Sequence, residues 1–159
     1  MTRGTEYVLS ESPFVVRRTV RWGDCDPAGV VFTGRFSEYL LGAVALFSDH
    51  MAGNTGTALG HAHGVDTPCR GLELAFEGTL WPRDEIDIAC RVGEIRQRSW
   101  DILAEARKPD GQLIFTARFS PICVRRDARV GTDIPDSLRQ VLARFAQQPS
   151  HRAPTRLAS

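Results

Sequence analysis

Six short segments of the chain are predicted to be β-strands, and in four of them apolar and polar residues alternate, the pattern of strands that bury one face. The segments are residues 14–22, 72–77, 85–92, 100–104, 115–119 and 122–124. The sequence Lys108-Pro109-Asp110-Gly111 is a strong turn signal and predicts a hairpin between the fourth and fifth of these strands. The chain is therefore predicted to be rich in antiparallel β-structure.

One segment reads as a helix that is apolar on almost every side. From Thr33 onward, Phe36, Tyr39, Ala43 and Phe47 have helical spacing, and the opposite side is also apolar. Such a helix must be covered nearly all round, which a flat sheet cannot do. The expected fold is α+β, a curved antiparallel sheet wrapped around a long central helix, which is the hotdog architecture. Its open sheet edges predict pairing into a dimer.

The length of 159 residues indicates a single domain. Residues 1–12 read as a flexible leader and residues 13–148 as the hotdog domain, which closes with a short helix at 134–145. Residues 149–159, rich in Pro, Ser, Arg and Ala, are predicted to be a disordered tail.

Composition narrows the classes of function. The net charge of +1 argues against general binding to nucleic acid or membrane surfaces. The longest uncharged apolar run, Tyr39–Phe47, is far shorter than the ~20 residues of a membrane span. The four cysteines form no CxxC pair, so they are interpreted as reduced thiols of a cytoplasmic protein. His61 and His63 are interpreted as part of a surface loop, and no metal site is predicted.

Two carboxylates, Asp24 and Asp26, lie in a Gly- and Pro-containing turn between the first strand and the apolar helix. A helix N-terminus presents unpaired N–H groups and the positive end of its dipole, so it can hold a developing oxyanion. A carboxylate facing such a helix end is equipped for acyl transfer. The same residues also suit a plain turn that caps the helix, and the residues alone leave both interpretations open. Between the two carboxylates, Cys25 is expected to have a raised pKa and to remain a thiol.

The string from Trp22 to Phe32, WGDCDPAGVVF, resembles the active-site segment of the 4-hydroxybenzoyl-CoA thioesterases. In these hotdog enzymes the catalytic aspartate precedes the central helix, and the resemblance covers about residues 14–128. It implies an acyl-CoA thioesterase in which Asp26 is the nucleophile or general base and the backbone N–H of Thr33 is the oxyanion donor. It also implies a homodimer or homotetramer, acyl-CoA as the ligand, and no metal or redox cofactor.

Further site residues follow from the same resemblance. Arg96, Arg98 and Ser99 lie between two predicted strands and are expected to contact the phosphates of coenzyme A, because arginine pairs well with phosphate. Phe32 and Glu73 are expected at the acyl pocket. Glu73 also fits an exposed position with no role.

The acyl group is less well defined than the reaction. The segment Thr33-Gly34-Arg35 departs from the aromatic-Pro-Asn sequence common in the resembling family. Aromatic residues at positions 32, 36 and 39 favour an aromatic acyl-CoA, such as a (hydroxy)benzoyl-CoA. Glu38, one turn into the helix, is a second candidate carboxylate, and Arg125-Arg126 is a second candidate phosphate contact.

Three other functions are considered. A hotdog hydratase or dehydratase usually has a histidine near the helix start, and this chain has none there. A non-catalytic acyl-CoA-binding protein has no need of a carboxylate beside the thioester. A phosphatase with an Asp-x-Asp motif requires a parallel sheet, which the alternating strands argue against. The prediction is therefore a thioester hydrolase, with the first two alternatives left open.

Overall fold

The structure is a computed structural model that describes residues 4–146. Within these residues, two α-helices, α1 (Arg35–Met51) and α2 (Asp136–Ala146), accompany eight β-strands. The strands are β1 (Glu6–Glu11), β2 (Phe14–Thr19), β3 (Val65–Asp66), β4 (Cys69–Phe76), β5 (Glu85–Ile95), β6 (Trp100–Arg107), β7 (Leu113–Pro121) and β8 (Val124–Arg125). Neither helix is long and apolar enough to cross a membrane.

Six strands form one antiparallel sheet in the order β1-β2-β5-β6-β7-β4. The predicted hairpin joins β6 to β7, and the N–H of Lys108 donates to the carbonyl of Gln112 at 2.9 Å to close it. The sheet leaves two edges, β1 and β4. Strands β3 and β8 pair separately with each other. The alternating pattern thus predicted the main strands correctly.

Helix α1 packs against this sheet through its apolar residues. The ring of Phe47 lies 5.1 Å from that of Phe14 in β2 and 5.8 Å from that of Phe145 in α2. A curved antiparallel sheet around a central helix is the hotdog fold, and the predicted fold class is confirmed. Leu41 and Ala45, on another side of α1, remain exposed. Residues 4–146 therefore leave one side of the helix uncovered.

The N-terminal segment differs from the sequence-based prediction. Glu6–Glu11, within the expected flexible leader 1–12, form β1 against β2. The segment lacks the alternation of a half-buried strand because an edge strand is held mainly by backbone hydrogen bonds. An ion pair of 3.0 Å between Glu6 and Arg18 adds to this pairing. The expected tail 149–159 lies outside the described residues.

Two other boundaries also differ. Strand β2 ends at Thr19, and Trp22, predicted to face the core, is 68% exposed. It begins a 3-10 turn, Trp22–Asp24, in which the Asp24 carboxylate accepts the N–H of Arg21 at 3.1 Å. Helix α1 begins at Arg35, two residues after Thr33, where the predicted helix begins.

Candidate active site

The segment between β2 and α1 folds back on itself as a small hairpin, residues 24–32, which we call the carboxylate loop. The N–H of Asp26 donates to the carbonyl of Val30 at 2.8 Å, and the N–H of Phe32 donates to the carbonyl of Asp24 at 2.9 Å. Gly29 closes the tip with a φ of 84°, a value that glycine adopts without strain. These bonds fix the two aspartates immediately before the helix.

Asp26 stands at the tip of the carboxylate loop with a partly exposed side chain. Its Oδ1 atom accepts the N–H of Ala28 at 2.8 Å, which orients the carboxylate. Among residues 4–146, no donor bonds its Oδ2 atom. A carboxylate that is oriented through one oxygen and open at the other is suited to attack a carbonyl or to take a proton from water.

Asp24, the first residue of the carboxylate loop, has a structural role. It is only 7% exposed, and its Oδ2 atom accepts the hydroxyl of Tyr39 at 2.8 Å. The guanidinium of Arg18 lies 4.6 Å from the centre of the Tyr39 ring. Burial, and then the bond to the Asp24 carboxylate, raise the pKa of Tyr39 above its usual range. Asp24 therefore ties the loop to α1, as a buried carboxylate with hydrogen-bond partners does.

The start of α1 offers the second component of the site. The N–H groups of Arg35 and Phe36 are already bonded to the carbonyls of Phe32 and Thr33, at 2.8 Å and 3.3 Å. By contrast, no acceptor within residues 4–146 bonds the N–H of Thr33 or Gly34. Both residues are exposed, at the positive end of a helix of 17 residues. Two free N–H groups in this position can stabilise an oxyanion.

Cys25, between the two carboxylates, is not prepared for nucleophilic chemistry. Burial raises its pKa, and the negative charges of Asp24 and Asp26 raise it further. Its Sγ atom lies 3.6 Å from the carbonyl of Arg21. The thiol therefore stays protonated, as its sequence position predicted, because every one of these effects disfavours the thiolate.

Arg96 forms a structural ion pair with Asp101. Two of its nitrogens donate to the two oxygens of Asp101, at 2.9 Å and 2.8 Å, and Asp101 is only 3% exposed. The hydroxyl of Ser120 also donates to Asp101 at 2.7 Å. Ser99, 2% exposed, accepts a long bond of 3.4 Å from Arg70. These contacts place Arg96 and Ser99 in the subunit's framework, which differs from the predicted contact with phosphates.

Arg98 is the accessible member of the predicted phosphate group. Its side chain is 56% exposed and forms an exposed ion pair of 3.2 Å with Asp133. Arg125 pairs with Asp127 at 2.7 Å, and Arg126 lies 3.6 Å from Asp66. Exposed ion pairs of this kind contribute little stability. These arginines can therefore exchange their partner for a ligand phosphate.

Asp26 and Arg98 lie at opposite ends of the subunit. The carboxylate loop follows the end of β2, where Thr19 pairs with Glu85 at the start of β5. The turn containing Arg98 follows the end of the same strand, whose 11 residues span roughly 33 Å at about 3.3 Å per residue. A single subunit therefore does not bring these two predicted site residues together.

Of the other candidate residues, Phe32 lies at the helix start. The others, Glu73, Glu38 and His61, each pair with a neighbouring side chain. Phe32 is 56% exposed and lies directly before the free N–H groups of the helix start. Glu73 faces away from α1 on the outer side of β4, is exposed and pairs with Arg118, so it does not reach the predicted acyl pocket. Glu38 is exposed and pairs with Arg35 at 2.8 Å. In the surface loop, His61 pairs with Asp66 at 2.7 Å.

Sequence reasoning missed the bond between Tyr39 and Asp24. On the buried side of α1, Tyr39 is the one residue whose side chain carries a polar atom. That hydroxyl needs a partner in the core, which was the available signal for a buried acceptor. Asp24, the less exposed of the two nearby aspartates, is this acceptor.

Comparison with known proteins supports the classification of this fold. The sequence model of the thioesterase-like superfamily matches residues 20–142. A thioesterase-superfamily protein from Jannaschia sp. CCS1 is 24% identical, with a TM-score of 0.76, covering 94% of this chain and 100% of that one. A comparison with curated proteins gives no match. The chain belongs to the thioesterase-like superfamily, and its enzyme class is thioester hydrolase.

Two further solved structures share the fold. The 1,4-dihydroxy-2-naphthoyl-CoA thioesterase from Synechocystis is 16% identical, with a TM-score of 0.68, covering 82% of this chain and 95% of that one. A Staphylococcus aureus protein solved in complex with CoA is 12% identical, with a TM-score of 0.76, covering 98% of this chain and 94% of that one. At these identities the likeness extends to the fold alone.

Proposed function

We propose that this protein hydrolyses an aromatic acyl-CoA to the free acid and CoA, as a relative of the 4-hydroxybenzoyl-CoA thioesterases. The observation that carries the proposal is that the loop with the open Asp26 carboxylate leads directly into a helix start where the N–H groups of Thr33 and Gly34 are free. A carboxylate and an oxyanion donor are sufficient for a thioester, because the thiolate is a good leaving group.

The reaction places charge where this site can stabilise it. Asp26 either attacks the thioester carbonyl carbon itself or takes a proton from a water molecule that attacks it. The carbonyl oxygen becomes an oxyanion, held by the N–H groups of Thr33 and Gly34. The C–S bond then breaks, and the CoA thiolate is protonated. When Asp26 itself attacks, an anhydride between Asp26 and the acyl group results, and water then hydrolyses it. One oxyanion donor contributes about 3–4 kcal/mol to such a barrier reduction.

The rings near the helix start support an aromatic acyl group. The Phe36 ring lies 5.3 Å from that of Phe76 and 5.8 Å from that of Phe115. Phe36 and Phe115 are buried and Phe76 is 50% exposed, so a ligand can reach this cluster at Phe76. Aromatic rings prefer tilted or offset contacts of this kind. The Synechocystis neighbour is named for an aromatic acyl-CoA, which agrees with the proposed acyl group. The S. aureus neighbour was solved with CoA, which agrees with the proposed CoA portion of the substrate.

A homodimer through β4 completes the proposed site. This edge strand is exposed over most of its length and carries Leu72, 43% exposed. Its Cys69 end lies opposite Pro121, beside the turn that contains Arg98, and its Phe76 end lies near the start of α1. Antiparallel pairing of two copies of β4 therefore places Asp26 of one subunit at the same end as Arg98 of the partner subunit. Assembly of dimers into a tetramer remains a further proposal.

The opposite edge is less suited to pairing. Strand β1 has a bulge between Val8 and Ser10, and bulges protect an edge from further strand addition. A half-open groove of about 280 Å³ runs along the exposed side of α1, with Leu41, Ala45 and Phe119 in its lining. Phe119 lies opposite Leu72 of β4, so dimerisation through β4 would place the partner subunit beside this groove.

Leu72→Glu on β4 is expected to convert the oligomer to a monomer and to lower kcat/KM at least tenfold, because it puts charge into an apolar interface. Light scattering coupled to size exclusion, beside thiol-release kinetics, measures both effects. The matched control is Leu9→Glu in β1, since Leu9 is similarly exposed at 39% but lies on the other edge. If both variants stay oligomeric, or both dissociate, β4 is not the specific interface.

Arg98→Ala is expected to raise KM for acyl-CoA about threefold to tenfold and to leave kcat unchanged, because it removes a phosphate contact remote from the reacting carbon. The effect should disappear with an acyl-pantetheine substrate, which lacks the nucleotide. Arg91→Ala, an exposed arginine on β5, is the control. An equal rise in KM with acyl-pantetheine would contradict a role for Arg98 in phosphate binding.

Thiol release from a panel of acyl-CoAs tests the proposed function: 4-hydroxybenzoyl-, benzoyl-, phenylacetyl-, hexanoyl- and palmitoyl-CoA. We expect turnover of all the aromatic members and the highest kcat/KM among them. Higher values for hexanoyl- or palmitoyl-CoA would replace the aromatic substrate with an aliphatic one. Thermal stabilisation by acyl-CoA without any thiol release would instead identify a binding protein. Addition of water to an unsaturated acyl-CoA would identify a hydratase.

A further inference from the structure

The ring of Phe32 is folded back over Gly34 at the start of α1. A Cβ atom built on Gly34 would lie 2.8 Å from Cε1, 3.4 Å from Cδ1 and 3.6 Å from Cζ of Phe32. Outside the adjacent backbone, Thr33 and Arg35, these are the three nearest heavy atoms, and all belong to this one ring. The ring therefore occupies the space that any side chain at position 34 would need.

The backbone gives no reason for a glycine at this position. Gly34 has φ −63° and ψ −20°, a right-handed helical conformation that every L-residue adopts. Alanine in its place would favour the helix start, because it restricts the unfolded chain more than glycine does. The one feature that position 34 accommodates by having no side chain is the ring of Phe32.

The position of this ring matters because of what lies beside it. The backbone of Phe32 is fixed at both ends, since its N–H donates to Asp24 at 2.9 Å and its carbonyl accepts the N–H of Arg35 at 2.8 Å. The ring is 56% exposed and lies over the residue that carries one of the two free N–H groups. An acyl group whose carbonyl oxygen binds these N–H groups would therefore lie next to the ring.

We propose that Gly34 determines acyl specificity by letting the Phe32 ring lie against the helix start as one wall of the acyl site. This inference rests on the proposed function, because it concerns the substrate of the same site. The wall is flat, and it is suited to a planar aromatic acyl group, which gains contact with the ring face or edge. A flexible alkyl chain gains less from the same orientation.

Gly34→Ala tests this proposal, because the added methyl group displaces the Phe32 ring and little else. We expect the ratio of kcat/KM for benzoyl-CoA to that for hexanoyl-CoA to fall about threefold to tenfold, the range of one aromatic contact. We expect the melting temperature to stay equal or to rise, which a loss of structure at the helix start would not produce. Phe32→Ala should lower the same ratio by a similar factor.

The double variant Phe32→Ala/Gly34→Ala makes the test decisive. Once the ring is absent, the substitution at position 34 should leave the ratio unchanged from that of Phe32→Ala. The proposal would be overturned if Gly34→Ala leaves the ratio unchanged. It would also be overturned if Gly34→Ala changes the ratio equally with and without the Phe32 ring. If the wild type hydrolyses neither substrate, the proposed function fails, and the same four proteins are compared by the Kd of benzoyl-CoA and hexanoyl-CoA in calorimetry. Absence of binding by both ligands would overturn this inference as well.

Discussion

Asp26→Asn is expected to lower kcat/KM for acyl-CoA hydrolysis by about 10²–10⁴-fold, the usual contribution of a positioned acid–base group. The amide can neither take a proton from water nor attack the carbonyl carbon. Its Oδ1 atom can still accept the N–H of Ala28, which bonds Asp26 at 2.8 Å, so the carboxylate loop should keep its fold. The measurement is thiol release under subsaturating substrate, with the melting temperature recorded for both proteins.

Asp110→Asn is a closely matched control for that experiment. In the turn between β6 and β7, Oδ1 of Asp110 accepts the N–H of Gln112 at 2.9 Å, the same arrangement two residues apart that Asp26 has with Ala28. The control removes a charge and keeps a turn of the same type, but no free helix N–H groups are involved. We expect its kcat/KM to remain that of the wild type.

Equal rates in Asp26→Asn and the wild type would remove Asp26 from the mechanism. Glu38 would then be the carboxylate to replace next, since it lies in the first turn of α1 and its partner Arg35 is also partly exposed. Glu73 is a weaker candidate because it faces the outer side of the sheet and pairs with Arg118. Loss of activity together with a lower melting temperature would instead point to a collapsed loop.

The sequence predicted the elements whose signal is local. Alternation identified the central strands, and an apolar helix that no flat sheet could cover indicated the hotdog fold. The string from Trp22 to Phe32 located the carboxylate loop. By contrast, β1 carries no alternation because an edge strand is held mainly by hydrogen bonds to the backbone of its neighbour. The end of β2 was also placed too far along, because the Asp24 carboxylate closes a turn that starts at Trp22.

Site assignments that depend on side-chain partners were harder to predict. Arg96 and Arg98 are equivalent in the sequence, two residues apart in one turn. Only the structure shows that Arg96 bonds the buried Asp101 whereas Arg98 has an exposed partner. The distance between Asp26 and Arg98 likewise depends on the sheet order, because they follow the C-terminal ends of β2 and β5, which are antiparallel neighbours. The same order supports a site shared between two subunits.

Asp101→Asn is expected to lower the free energy of unfolding by about 2 kcal/mol at pH 7. Removing one partner of a buried ion pair typically costs about 3–5 kcal/mol, and the value is reduced here because the side chain of Arg96 is 33% exposed and partly screened by water. The Ser120 hydroxyl, which donates to Asp101 at 2.7 Å, would keep an acceptor in the amide oxygen. Urea denaturation followed by tryptophan fluorescence measures the difference, and Trp100 next to the site is a suitable probe.

The same substitution should change the response to acid. The bonds from Arg96, and then the bond from Ser120, hold the pKa of Asp101 below its usual value of 3.8. A carboxyl whose pKa is lowered by folding stabilises the native state above its unfolded pKa, and this contribution is lost as the pH falls through the folded pKa. The stability difference between wild type and Asp101→Asn should therefore be full near neutral pH and should shrink below about pH 4.

Asp127→Asn tests whether burial or pairing causes the destabilisation expected for Asp101→Asn. Asp127 also has a lowered pKa, first because of its bond with Arg125, but its side chain is 67% exposed. Water replaces the lost partner at such a site, so we expect the urea midpoint to stay at the wild-type value. Similar destabilisation by both substitutions would mean that pairing alone accounts for the effect. No destabilisation by Asp101→Asn would release Arg96 from its structural role, and Arg96 would then rejoin Arg98 as a candidate contact for the CoA phosphates.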